Sequence, residues 1–211
     1  MKVRGTLAVY LIAVLIAEPV LSSEFLLEEQ QLLASDGLNS DQFGTAVAID
    51  GNFAVVGANG VDRDTNLEGA AYVYRLTPSG WIEDAVLQAS DIAEGDQFGY
   101  AVDISGSRII VGSPYNDDFG FNTGAAYIFE RAGGQWVEQQ RIVAADRSDF
   151  DQFGQSVAID GETVLIGSPR DDDLGNDSGS VYVFARADGW QVTQPPGWPI
   201  LCGPRKPVIY Q

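Results

Sequence analysis

The chain has 211 residues, 45% of them hydrophobic and 24 of them glycine, and carries a net charge of −18. That composition is globular rather than disordered, and the charge excludes nucleic acid and anionic lipid surfaces as partners. There is no histidine, which removes the Ser-His-Asp arrangement, His-ligated metals and the commonest general base.

The first 23 residues read as a secretory signal peptide. Lys2 and Arg4 precede an apolar run from Leu7 to Ala17, and the small-residue stretch Val20-Leu21-Ser22-Ser23 follows. This is the charged, apolar, small-residue order of an export signal, and the apolar run is shorter than the ~20 residues a bilayer span needs. No other segment is apolar and long enough to span a membrane, so the expectation is a secreted, periplasmic or cell-surface protein with no stable span once residues 1–23 are removed. The mature chain would then carry −19. Its single cysteine, Cys202, cannot form an internal disulfide.

Beyond the leader, one unit of 55 residues recurs three times. Asp41-Gln42-Phe43-Gly44 returns as Asp96-Gln97-Phe98-Gly99 and as Asp151-Gln152-Phe153-Gly154. Gly57-Ala58 returns as Gly112-Ser113 and Gly167-Ser168. Self-similarity at a fixed period signals stacked units, none of which buries its apolar face alone. Within a unit the pattern is strand-like throughout. Thr45–Ile49 and Phe53–Gly57 are joined by Asp50-Gly51, a tight-hairpin signal because Gly accepts positive φ. A third strand spans Ala70–Arg75. A fourth runs from Trp81 to Leu87 after the turn Thr77-Pro78-Ser79-Gly80. Strands such as Val164-Leu165-Ile166 and Val181-Tyr182-Val183-Phe184 are apolar on both faces and must be covered on both. Stacked four-stranded antiparallel sheets, the blades of a propeller, satisfy that demand. Phe43, Phe98 and Phe153 are expected between blades, and Trp81, Trp136 and Trp190 as packing residues of the fourth strands.

Phe43-Gly44 followed by Val56-Gly57-Ala58, and later Val111-Gly112-Ser113-Pro114 and Ile166-Gly167-Ser168-Pro169, resemble the FG-GAP repeat. That resemblance, over about residues 24–194, implies the β-propeller architecture of integrin α heads and of many bacterial exported proteins, with a binding or adhesion role. The integrin-type repeat often holds calcium in a D-x-D-x-D-G loop between its first two strands. Here that connection is Asp50-Gly51, Ser105-Gly106 or Asp160-Gly161, too short to supply the six to eight oxygens calcium takes, so no metal residue carries over from the family.

The organisation expected is a leader (1–23), an orphan outer strand with a lead-in loop (24–40), repeats at 41–95, 96–150 and 151–194, the last incomplete, and an unrelated Pro-rich tail (195–211). Leu26–Leu33 falls in register with Trp81–Gln88 and reads as a fourth strand lacking its own first three. The fold class is therefore all-β: a partial β-propeller of three four-stranded antiparallel blades forming an open arc, preceded by a signal peptide. Three copies do not close a standard ring. A truncated member of a longer family, self-association of copies to complete the propeller, and a persistent open arc are the three ways to account for that.

In an up-and-down blade, the loops between second and third strands and those leading from one blade to the next emerge at the same end. These loops hold most of the loop carboxylates. Metal candidates on this acidic rim are Asp171, Asp173 and Asp177, which would gather around one Ca2+ ion if their loop curls, with Asp62 and Asp64, and Asp117 and Asp118, in the corresponding loops of the other repeats, at spacings that differ from repeat to repeat. Asp and Asn also cap turns through their own backbone. Asp41, Asp96 and Asp151, just before the Phe-Gly pair, are expected to accept backbone N–H bonds.

The function expected is a non-enzymatic exported binding or adhesion module whose acidic rim takes a cation or a basic partner, a protein or glycan ligand at the cell exterior. A carboxylate-dependent hydrolase on a propeller scaffold is the second reading, since paired Asp residues can serve as acid and base. A fragment without independent function is the third.

Overall fold

The structure, a computed structural model, describes residues 30–62 and 67–186, together with the backbone of 190–192. The expected leader at 1–23, the candidate Asp64, the Trp190 side chain and the tail 195–211 lie outside the described residues. So does most of the strand expected at Leu26–Leu33, of which residues 30–33 are in no strand.

The described residues form three four-stranded antiparallel sheets, each a simple meander in chain order. Sheet 1 holds β1 (Val47–Asp50), β2 (Phe53–Ala58), β3 (Ala70–Thr77) and β4 (Gly80–Leu87). Sheet 2 holds β5 (Ala101–Ser105), β6 (Arg108–Ser113), β7 (Ala125–Ala132) and β8 (Gln135–Ile142). Sheet 3 holds β9 (Ser156–Asp160), β10 (Thr163–Ser168), β11 (Ser180–Arg186) and the short β12 (Trp190–Val192). Among the described residues there is no helix, and none therefore long and apolar enough to cross a membrane. The hairpin glycines Gly51, Gly106 and Gly161 hold φ between 55° and 59°, the left-handed conformation that a residue with a Cβ adopts at a cost.

Successive sheets stack face to face. One core lies between sheets 1 and 2, with Val55 and Val73 from one side meeting Val102, Ile104, Ile109 and Val111 from the other. A second, around Ile110, Ile128, Ile159, Val164 and Ile166, lies between sheets 2 and 3. Sheet 2 is thus covered on both faces, as its unbroken Ile109-Ile110-Val111 run demands. Phe98 and Phe153 are fully buried in these two cores. Each meets the tyrosine and phenylalanine of the third strand of its own sheet edge-on: Tyr127 and Phe129 for Phe98, Tyr182 and Phe184 for Phe153. Trp136 packs edge-on against Phe53 of the preceding sheet, and Trp81 packs against the buried cluster that includes Tyr72 and Tyr74.

The junction between sheets explains why the glycines recur. A Cβ on Gly57 would lie 2.0 Å from the carbonyl oxygen of Gly99, and one on Gly112 would lie 2.0 Å from that of Gly154. The Phe-Gly straps of sheets 2 and 3 therefore each lie across the glycine of the sheet before. The strap is hydrogen-bonded there: Gln97 and Phe98 donate their amides to the carbonyls of Leu67 and Glu68, and Gln152 and Phe153 donate theirs to Asn122 and Thr123. The acceptors Leu67 and Asn122 hold φ of 55° and 51°, which turns their carbonyls toward the incoming strap.

Candidate functional site

The loops that lead into each sheet and the loops between its second and third strands meet at one end of the sheets. The contact between them is itself repeated. Tyr72 of β3 donates its hydroxyl to Asp36, and Tyr127 of β7 donates to Asp91. The hydroxyl of Tyr182 in β11 lies 2.9 Å from Asp146 and 2.6 Å from Asp171. Burial first, and then the hydrogen bonds to these two carboxylates, hold the Tyr182 phenol far above its ordinary pKa.

The aspartates that precede each Phe-Gly pair are turn-formers. Asp41 accepts the amide of Leu38, Asp96 that of Ala93 and Asp151 that of Ser148. Each reaches back three residues to close its loop. Asp96 also accepts from Asn116 through the same oxygen. Burial pushes the carboxyls of Asp96 and Asp151 up to about 6, against the lowering effect of these hydrogen bonds.

The candidate metal residues are dispersed among local tasks. Asp171 is buried; one of its oxygens accepts the amide of Asp173 and the other faces the Tyr182 hydroxyl. Asp177 takes a bond from Asn176 and holds φ of 50°. Asp117 accepts the Asn122 amide, and Asp118 is paired with Arg141 at 2.6 Å. Asp62 is exposed. Among the described residues no three His, Cys, Asp or Glu side chains come together as a set that would hold a metal ion.

What the rim does assemble is an aromatic patch that the repeat pattern does not foretell. Phe119, Phe121 and Phe150 are 53%, 67% and 50% exposed. Phe121 and Phe150 stack with centroids 6.4 Å apart and planes 13° from parallel. They are held together by the Phe150 amide on the Phe121 carbonyl and by the Phe121 amide on Asp149. Phe119 lies beside them in sequence and under two guanidinium groups, Arg147 at 4.2 Å and Arg141 at 5.1 Å from its centroid. Arg141 is anchored in turn by Asp91 at 2.7 Å and by the Asn116 side chain at 2.6 Å. These phenylalanines break the repeat. The equivalents of Phe119 are Asp64 and Leu174, those of Phe121 are Asn66 and Asn176, and those of Phe150 are Ser40 and Gly95. Phe150 keeps the left-handed φ of both equivalents, 71° against 72° for Ser40 and 86° for Gly95, at a cost of about 1 kcal/mol or more for a residue with a Cβ. Departure from the repeat at three positions of one rim was the signal available in the sequence.

The FG-GAP repeat model matches residues 26–74, 81–129 and 136–184. The chain belongs to the FG-GAP repeat family. The second and third matches each run from the fourth strand of one sheet through the third strand of the next, so each of these units spans a junction. The family's two signature elements, Phe-Gly and the Gly-Ala or Gly-Ser pair, meet twice: within a unit, where Gly44, Gly99 and Gly154 donate their amides to the carbonyls of Gly57, Gly112 and Gly167, and across a junction, where Gly99 lies against Gly57 and Gly154 against Gly112. No curated protein matches the chain.

Proposed function

We propose that this FG-GAP chain is a non-enzymatic binding module that works outside the cell and takes a basic, partly apolar partner on its acidic rim. The observation that carries the reading is the stacked, exposed pair Phe121–Phe150 with Phe119, set among Asp117, Asp118 and Asp149. Exposed aromatic groups rimmed by charge mark interaction surfaces, and a chain of net charge −18 steers cationic partners toward it. Aromatic faces also attract Lys and Arg directly. The leader pattern of Lys2, Arg4 and the apolar run to Ala17 supports export. A non-enzymatic role is supported by the two carboxyls with raised pKa, Asp96 and Asp151. They occupy the same place in successive repeats and close turns there, whereas a catalytic pair is expected at one unique place.

The test is binding of an array of peptides rich in Lys, Arg and aromatic residues, with the double variant Phe121→Ala, Phe150→Ala as control. Both residues are half or more exposed, so the variant retains the fold. The reading predicts peptide binding that weakens with salt and falls at least about tenfold in the variant, the ~1.4 kcal/mol that one lost aromatic contact supplies. Equal binding by the variant, or no binding of any basic peptide, overturns it. Insensitivity to added calcium is expected in both proteins.

A further inference from the structure

The two internal junctions are built from one pair of elements, and among the described residues one half of that pair stands unmatched at each end of the sheets. At the leading face, Gly44 has nothing within 4 Å of the place a Cβ would take, whereas its equivalents Gly99 and Gly154 lie against the carbonyls of Ala70 and Ala125 at 2.2 and 2.3 Å. Val47 and Ile49 of β1 are 71% and 67% exposed, whereas their equivalents Val102 and Ile104 are 8% and 5% exposed in the first core. Leu32, Ala34 and Phe43 already lie on this face of sheet 1. They match Leu87, Ala89 and Phe98, which sit together in the core between sheets 1 and 2.

At the trailing face the complementary half is formed and open. A shallow groove lies between Ser156, Gly167, Ser168, Gly179 and Val181. Gly167 and Gly179 are the equivalents of the glycines that receive a strap in the first two sheets. At Gly57 and Gly112 the nearest atom to a Cβ is the next strap's backbone; at Gly167 it is the side chain of Ser156 in the same sheet. Asp177 holds φ of 50°, matching Leu67 and Asn122, whose carbonyls accept the strap's glutamine amide. Val181, Val183 and Leu165 are exposed here, whereas Ala126, Ile128 and Ile110 at the same places in sheet 2 are fully buried.

We propose that this chain associates with a second copy of itself head to tail, the Asp41–Gly44 strap and the Val47–Ile49 face of one copy seating in the Gly167–Gly179 groove and on the Val181–Val183 face of the other. The Gln42 and Phe43 amides then bond the Asp177 and Ser178 carbonyls, as Gln97 and Phe98 bond Leu67 and Glu68 within the chain. The occupant is a second copy because the complementary half is present on the same chain and has been matched to this groove twice over in its own junctions. Such a contact is heterologous, and it closes when the rotation allows. Two copies bring six sheets together, within the range of about four to eight blades of known propellers.

The test is the solution mass of the whole chain in reductant, which keeps Cys202 from linking copies, measured as a function of concentration. The expected mass is twice that of one chain. Two variants alter only exposed positions, Ile49→Arg on the head and Val181→Arg on the tail. Each alone is expected to fall to the mass of one chain, and an equimolar mixture to regain a 1:1 complex through its one intact pair of faces. Gly167→Ala gives a second way to block the tail, by placing a methyl group where the Gly44 carbonyl must lie. A single-chain mass for the unaltered protein overturns the proposal. So does an oligomer that either arginine variant leaves intact, or a mixture that forms no complex.

Discussion

Replacing Gly57 with alanine places a methyl carbon 2.0 Å from the Gly99 carbonyl oxygen, where ordinary contact begins at 3.4 Å. The methyl carbon is fixed directly to the backbone with no rotamer to change, and the oxygen is itself backbone, so relief requires sheets 1 and 2 to separate by up to about 1.4 Å, the difference of those two distances. The bonds from Gln97 to Leu67, 3.0 Å, and from Phe98 to Glu68, 2.9 Å, would then lengthen beyond useful range. Two such bonds contribute about 1–3 kcal/mol together, and forcing a tightly packed junction apart costs about 1–3 kcal/mol more. The loss expected is about 2–6 kcal/mol, a large part of a typical stability of about 5–15 kcal/mol. Gly112→Ala, with Gly154 at the same 2.0 Å, is expected to match it. Gly167→Ala is the internal control. Its methyl group meets the Ser156 hydroxyl at 2.2 Å, the mobile end of a side chain, and a rotamer change relieves it at a cost of about 1 kcal/mol or less. The assay is urea unfolding followed by circular dichroism, under conditions where the protein is a single chain or its mass is held constant. Equal losses at Gly57, Gly112 and Gly167, or a loss below about 1 kcal/mol at Gly57, would refute the argument that these glycines exist for the junction.

Phe98→Ala removes a fully buried ring and is expected to cost about 3–5 kcal/mol, while Phe43→Ala, on the partly covered leading face, costs less; equal urea midpoints for the two would count against the stacked-sheet account. The carboxyl of Asp96 is raised to about 6 from an ordinary 3.8, so the folded chain holds a proton that the unfolded chain has released between those values. That contribution is fully present below pH 3.8, is lost as pH rises through 6, and amounts to at most about 2–3 kcal/mol. Asp96→Asn keeps an acceptor for Ala93 and Asn116 and removes the charge. Its stability advantage over the unaltered chain is therefore expected to shrink as pH falls from 7 to 4, and an advantage that does not change with pH would contradict the assignment.

The elements that the sequence alone determined are those set by local chemistry. Strands β2, β6 and β10 are recognisable because their apolar runs are short, β-branched and bounded by turns. The hairpins at Gly51, Gly106 and Gly161 follow from residues that tolerate positive φ. The period itself dictates identical sheets, and runs apolar on both faces dictate that the sheets stack. The turn role of Asp41, Asp96 and Asp151 was legible for the same reason, since its partner lies three residues away. The rim was not legible in this way. Asp117 and Asp118 look alike in the sequence, but one serves an amide five residues on and the other pairs with Arg141 from β8. Phe121 and Phe150 are 29 positions apart and meet only because the loop after β6 and the loop before β9 emerge at one end of neighbouring sheets. Only stacking decides which loop lies beside which. The same holds for the glycines: their recurrence is plain in the chain, but that Gly57 receives Gly99 of the following sheet, leaving Gly44 and Gly167 unmatched, is a fact of packing between units that no single unit contains.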